Sequence, residues 1–369
     1  MESSEVSFQF AGRIGWIRLN RPRVINAITA EMAEKIALQL ERWKIEPDLR
    51  LVVISGEGER GFCAGGDMAR LYEARNSGIT ELAARLFGWG YRLDYIVYRY
   101  PVPVLVWMDG VVMGGGAGIG SAASHRIVTE RTKWAMPELN IGFFPDVGSS
   151  YFLNRMPGRI GLYLALTSSV ITGEDLLYLG AAEVYTSSGR WDEAKANLQS
   201  LGEGGFTSRQ LSELLAQMQD KPTRPSRLAA LRERIDDHFA RATIEDILAS
   251  LERAAGEGDE WAWETLTALR QKPPTSLKVT LRQFQSGRGK SLADCLRMEM
   301  DMSMNFVAHD DLYEGIRAVL IDKDRNPRWQ PAELGEVDER RVQSFFRYDW
   351  PGGRHPLAEL ASETVSLPE

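Results

Sequence analysis

Apolar and polar residues alternate over Val6, Phe8 and Phe10, break at Ala11-Gly12-Arg13, and resume from Ile14 to Leu19. Period-two apolarity around a Gly-containing turn predicts a β-hairpin. Thr29 then precedes Glu31 and an apolar periodicity through Ile36, Leu38 and Leu40 to Trp43, which predicts a capped amphipathic helix. Leu51-Val52-Val53-Ile54 and Pro103-Val104-Leu105-Val106-Trp107-Met108 are short continuous apolar runs, the pattern of strands buried on both faces. Between them lie a Gly-rich loop, Ser55 to Gly66, a helix from Asp67, and a second helix over Thr80 to Tyr98. A small-residue stretch from Gly114 to Ala123 leads to another expected strand, Arg126 to Thr129.

Strands alternating with helices define an α/β core of crossover units. Beyond about residue 185 the β pattern fades into helical segments near 192–200, 207–219, 227–240, 243–255 and 259–271. Pro222, Pro225, Pro273 and Pro274 punctuate them, and 276–320 is again largely helical, with Leu296, Met298, Met300, Met302 and Met304 as core. The expected organisation is a core over 1–190, a helical C-terminal region over 191–350 and a loose Pro/Gly-rich tail over 351–369.

Composition narrows the class. The 369 residues are 44% hydrophobic and 26% charged, ordinary for a soluble globular protein and too apolar for disorder. A net charge of -7 argues against nucleic acid or an anionic membrane as partner over the whole surface. Cys63 and Cys295 cannot build a disulfide framework. His125, His238, His309 and His355 lack metal-ligand spacing, so no metal is expected. The N-terminal Met1-Glu2-Ser3-Ser4-Glu5 is acidic where a targeting peptide would be basic, and no run of about 18 apolar residues marks a span. A cytoplasmic location is the expectation.

Three glycine-containing loops are candidates for chemistry. Gly56-Glu57-Gly58-Glu59-Arg60-Gly61 matches G-x-G-x-x-G, but another loop intervenes before any helix, so it does not read as a dinucleotide site. Ala64-Gly65-Gly66-Asp67 opens a helix, and Gly114-Gly115-Gly116 follows a buried strand. The first amides of a helix have no intrahelical acceptor and can donate to an anion. Two such donors aimed at one point make an oxyanion hole, worth about 3–4 kcal/mol per donor. The competing readings are an N-cap for Asp67 and tight helix packing for the glycines. Glu138 and Asp146, in apolar Pro/Gly-bent surroundings, are candidate acid–base groups because burial would raise their pKa; an N-cap is the alternative for Asp146. Ser124-His125 is only a dipeptide, and Cys63 reads as a packed thiol.

Taken together, Asn20-Arg21-Pro22-Arg23-Val24-Ile25-Asn26-Ala27, Phe62-Cys63-Ala64-Gly65-Gly66-Asp67, Asp109 to Gly116 and Met136-Pro137-Glu138 to Gly142 resemble the crotonase (enoyl-CoA hydratase/isomerase) superfamily in content, order and spacing. Phe144-Pro145-Asp146-Val147-Gly148 with Tyr151-Phe152-Leu153, the 274–283 segment, Tyr313 to Asp324 and Pro327 to Pro331 are similar to its 3-hydroxyisobutyryl-CoA hydrolase branch.

The resemblance implies a crotonase-like ββα superhelical core of stacked sheets with a helical C-terminal region. It implies that Gly66 and Gly115 supply the oxyanion amides and that Arg23, Ile25, Ala27, Ala64 and Asp67 line a coenzyme A groove. Glu138 and Asp146 take the catalytic positions, Glu138 as nucleophile through an anhydride or as base for water. Hydratases of the superfamily carry a second glutamate where this chain has Gly118, so thioester hydrolysis is the implied reaction. The implied substrate is a short 3-hydroxyacyl-CoA, 3-hydroxyisobutyryl-CoA of valine breakdown. No cofactor is implied beyond the coenzyme A of the substrate, and a homo-oligomer is expected. Enoyl-CoA hydration or isomerisation, or a non-catalytic acyl-CoA-binding subunit, are the alternatives.

Overall fold

The computed structural model describes residues 4–361; Met1 to Ser3 of the acidic N-terminal stretch and positions 362–369 of the expected tail lie outside the described residues. The elements that carry the architecture are β1 (Val6–Ala11), β2 (Ile14–Leu19), α1 (Ala30–Trp43), β3 (Leu51–Gly56), β4 (Gly61–Cys63), α2 (Met68–Ala74), α3 (Ile79–Tyr98), β5 (Val104–Met108), β6 (Val111–Met113), α4 (Gly115–Ala122), β7 (His125–Thr129), β8 (Lys133–Ala135), β9 (Ile171–Thr172) and β10 (Val184–Thr186). Two compact units interleave along the chain. The first comprises Met1–Gly66, Arg92–Ala135 and Val170–Ala229, and the second Asp67–Tyr91, Met136–Ser169 and Ala230–Glu369. Neither residue 190 nor residue 350 is a break between them.

Both sheets belong to the first unit. The six-stranded sheet runs β1-β2-β3-β5-β7-β10, and the four-stranded sheet β4-β6-β8-β9. In the first, β1 and β2 form the expected antiparallel hairpin, paired from Val6 with Leu19 to Ala11 with Ile14; the remaining neighbours are parallel. In the second, only β8 and β9 are antiparallel. Each consecutive pair, β3–β4, β5–β6 and β7–β8, gives one strand to each sheet. That alternation is the ββα repeat. The strands of the second sheet are only two or three residues long, too short for a periodicity to show in sequence.

The β3 and β5 runs are continuous because both faces are covered. Ile14, Leu51, Val53, Leu105, Trp107, Ile127 and Val184 pack with Ala194 and Leu198 of the helix Trp191–Gly204 and with Leu211, Leu215 and Met218 of the helix Ser208–Met218. The Thr29 hydroxyl accepts from the Met32 amide and caps α1, which buries Met32, Ile36, Leu40 and Trp43 but leaves Leu38 exposed.

The second unit is helical among its described residues. Its central helix, Leu292–Val307, starts at the Ser291 cap and buries Met298, Met300, Met302 and Met304 together with Glu299. In the expected tail, Leu357 and Leu360 are buried, and their carbonyls accept from the Arg297 guanidinium at 3.4 and 2.7 Å.

Candidate active site

In the first unit the loops singled out in sequence meet backbone to backbone. Ala64 N donates to Ile25 O, and Ile28 N donates to Gly65 O, both at 2.8 Å. Asn26 secures this corner. Fully buried, its side-chain amide donates to the carbonyls of Glu57, Gly61 and Phe62 at 3.0–3.1 Å while its Oδ1 accepts from Arg21 N. The 64–66 strip then lies along the start of α4. A Cβ on Gly115 would stand 3.5 Å from Gly66 N, and one on Gly65, whose φ is +111°, would stand 3.3 Å from Met113 O. Gly116 has no room for a side chain, because its Cβ would fall 2.6 Å from Cys63 Cβ and Cys63 O. The packing and binding readings of the glycines are therefore compatible: Gly116 lets α4 close onto β4, which brings Gly66 and Gly115 side by side. No acceptor among the described residues takes the amide of either, and both residues are partly exposed. Such amides can receive an anionic oxygen.

Ile25, Ala27 and Ala64 are half-buried around this corner, and Arg23 is exposed, its carbonyl accepting from Arg60. Asp67 stands at the N-cap position of α2 without a capping bond from its side chain. Cys63 is the packed thiol expected, and burial pushes its pKa up to about 12. Ser124 Oγ does touch His125 Nδ1 at 2.9 Å, but the same oxygen is tied to the Val104 N–H and C=O and serves to staple the loop.

In the second unit, Glu138 opens a short 3-10 turn, Glu138–Ile141, which Gly142 ends in the left-handed region. Lys272 steadies the turn, its buried ammonium donating to Asn140 Oδ1; burial lowers the Lys272 pKa to about 8. Glu138 is 6% exposed, and its Oε2 has no hydrogen-bond partner among the described residues. Asp146, 7% exposed, accepts from the Tyr91 hydroxyl at 2.7 Å. It is not an N-cap: Gly148 holds that position for the helix Ser149–Phe152. Burial raises the pKa of both carboxyls, and the charge of Asp146 raises that of Glu138 further. Carboxyls raised in this way suit acid–base chemistry.

Three further groups shape this cluster. Val147 has a φ of +52°, a strained conformation for a β-branched residue. The strain is held by Glu299, fully buried, whose carboxylate accepts from Gly148 N at 2.7 Å, from Ser150 N at 3.0 Å and from the Ser150 hydroxyl. Gln283 adds bonds to Pro145 O at 2.7 Å and to Glu299 at 3.3 Å. Sequence reasoning passed over Tyr91, Gln283 and Glu299. No local signal marks Glu299, which alternates with methionines just as Asp301 and Ser303 do.

A two-sheet α/β core of ββα repeats followed by helices is the crotonase class of fold. The chain belongs to the enoyl-CoA hydratase/isomerase family, whose model matches residues 14–346. The mitochondrial 3-hydroxyisobutyryl-CoA hydrolase of Gallus gallus is 39% identical over 349 residues, covering 94% of this chain and 89% of that protein. The small ribosomal subunit protein mS47 of Neurospora crassa is 37% identical over 383 residues, covering 98% and 74%. Among solved structures, a carnitinyl-CoA dehydratase from Mycobacterium thermoresistibile matches with a TM-score of 0.86 at 36% identity, covering 94% of this chain and 97% of that one. No helix among the described residues is long and apolar enough to cross a membrane.

Proposed function

We propose that this protein hydrolyses 3-hydroxyisobutyryl-CoA to 3-hydroxyisobutyrate and coenzyme A, a step of valine breakdown. The observation that carries the reading is the pair of buried carboxyls, Glu138 and Asp146, with raised pKa, in a chain 39% identical to a 3-hydroxyisobutyryl-CoA hydrolase. In this reading the Gly66 and Gly115 amides hold the thioester oxygen as it gains charge. Glu138 acts on the carbonyl carbon, as nucleophile or as base for water. A C–O bond forms, the C–S bond breaks, and a proton passes to the departing thiolate. Asp146 binds the 3-hydroxyl or orients the water.

Arg23, Ile25, Ala27, Ala64 and Asp67 line the coenzyme A groove, with the Arg23 guanidinium against phosphate. Position 118, a buried glycine in α4, offers no second carboxylate for hydration. No cofactor beyond the coenzyme A of the substrate is part of the proposal. Cytoplasmic placement is an expectation from the sequence, and the chicken relative is named mitochondrial.

The test is release of free thiol from 3-hydroxyisobutyryl-CoA, with crotonyl-CoA hydration measured in parallel. Thiol release without hydration is expected. Hydration without release would overturn the reading in favour of hydratase or dehydratase chemistry, the class named for the mycobacterial structure. Inactivity in both, with acyl-CoA still bound, would favour a non-catalytic subunit, as the ribosomal relative's name illustrates.

A further inference from the structure

A chain of buried oxygens runs inward from Asp146. Tyr91, 1% exposed, lies in α3 with its hydroxyl 2.7 Å from Asp146 Oδ2 and 2.6 Å from Ser303 Oγ. Ser303 Oγ lies 2.8 Å from the carbonyl oxygen of Glu299, one turn earlier in Leu292–Val307. The Tyr91 ring is fixed against Phe87, centroids 5.9 Å apart. The groups that face Asp146 are Glu138 from its turn, Tyr91 from α3, and Glu299 from the central helix.

Counting protons along this chain gives a definite result. Four oxygens make three links; the phenol and the serine bring one proton each, and the carbonyl brings none. With Asp146 ionised, Tyr91 donates to Asp146, and the single Ser303 proton can go to Tyr91 or to the Glu299 carbonyl, so one of those two links goes unfilled. With Asp146 protonated, the direction reverses: Asp146 donates to Tyr91, Tyr91 to Ser303, and Ser303 to the carbonyl. All three links are then filled. The same oxygens at the same places serve both states.

We propose that Tyr91, backed by Ser303, is a positioning residue that holds the Asp146 carboxyl in one orientation whether or not it carries a proton. Asp146 then exchanges a proton without turning. The inference rests on the reading that Asp146 takes part in thioester hydrolysis, but its geometry can be tested without turnover.

The experiment replaces Tyr91 by Phe, which keeps the ring and its packing. A hydrogen bond to a charged acceptor is stronger than one to a neutral partner, so losing the phenol costs the ionised form of Asp146 more than the acid. The protonation midpoint of Asp146 should rise by about one pH unit, read from the infrared band of the protonated carboxyl and assigned by its loss in Asp146→Asn. With 3-hydroxyisobutyryl-CoA, kcat should fall about tenfold, its acidic limb should move up with the midpoint, and KM should stay within about twofold. Ser303→Ala should move the midpoint the same way by less, and it serves as second variant if Tyr91→Phe unfolds. Tyr100→Phe is the control: among the described residues that phenol donates to the Leu40 carbonyl, and its loss should leave midpoint and rate unchanged.

An unmoved midpoint in folded Tyr91→Phe would overturn the proposal. So would a moved midpoint with an unchanged kcat in an active enzyme. A moved midpoint where even the wild type fails to turn over the thioester would support the positioning role while removing the hydrolase reading.

Discussion

Glu138 shows how a single side chain is made reactive by what is withheld from it. Its Oε2 is buried without a partner among the described residues, and the Asp146 charge lies in the same cluster, so the ionised form is costly and the group is basic for a carboxylate. Glu138→Gln keeps the shape and removes the charge. Because Oε2 makes no protein bond to lose, folding should be unaffected while kcat falls by about 10²–10⁴. Steady-state kinetics beside a thermal melt check this, and an unchanged kcat would remove Glu138 from the mechanism. The pKa direction also fixes the pH dependence: a base raised by burial is lost as pH falls through its elevated pKa, so the acidic limb should sit above the ordinary glutamate range.

At the scale of elements, the turn after Asp146 is held from across the unit by one helix. Glu299 receives Gly148 N and Ser150 N as a carboxylate, yet burial dominates and raises its pKa to about 7. A folded-state pKa above the unfolded value means that the native protein binds the extra proton between about pH 4.5 and 7. The contribution of Glu299 to stability is therefore complete below the lower value and declines as pH rises through the upper one. Relative to Glu299→Gln, the wild type should lose up to about 3 kcal/mol between pH 4.5 and 8. Urea unfolding of both proteins across that range reads the difference, and parallel curves would show that Glu299 does not titrate there. The first unit uses a different device: α4 closes onto β4 because Gly116 has no Cβ to meet Cys63.

For the whole molecule, the ββα repeat divides labour by placing alternate strands in alternate sheets, and the Gly66 and Gly115 amides follow β4 and β6, neighbouring strands of the second sheet. The carboxyl cluster is assembled within the helical second unit from segments near residues 91, 138–150, 283 and 299–303. Family resemblance leads us to propose a homo-oligomer. Sedimentation equilibrium at micromolar protein should give a mass above that of one chain, and a single-chain mass independent of concentration would overturn it.

The hairpin, α1, β3, β5 and the run of later helices were legible because periodicity and caps are relations among neighbouring residues. The motif loops with Gly66, Gly115 and Glu138 were legible too, as a resemblance carried by four short segments in order, and Asp146 by a fifth, Phe144 to Gly148. The second sheet was not, since strands of two or three residues hold too few positions to show a period. Nor were the partners of Asp146. Tyr91 stands 55 positions from it, Ser303 stands 212 from Tyr91, and Glu299 stands 151 from Gly148. No local pattern links residues so far apart. Burial pressed them together, and exclusion of water then turned an ordinary tyrosine, serine and glutamate into obligatory hydrogen-bond partners.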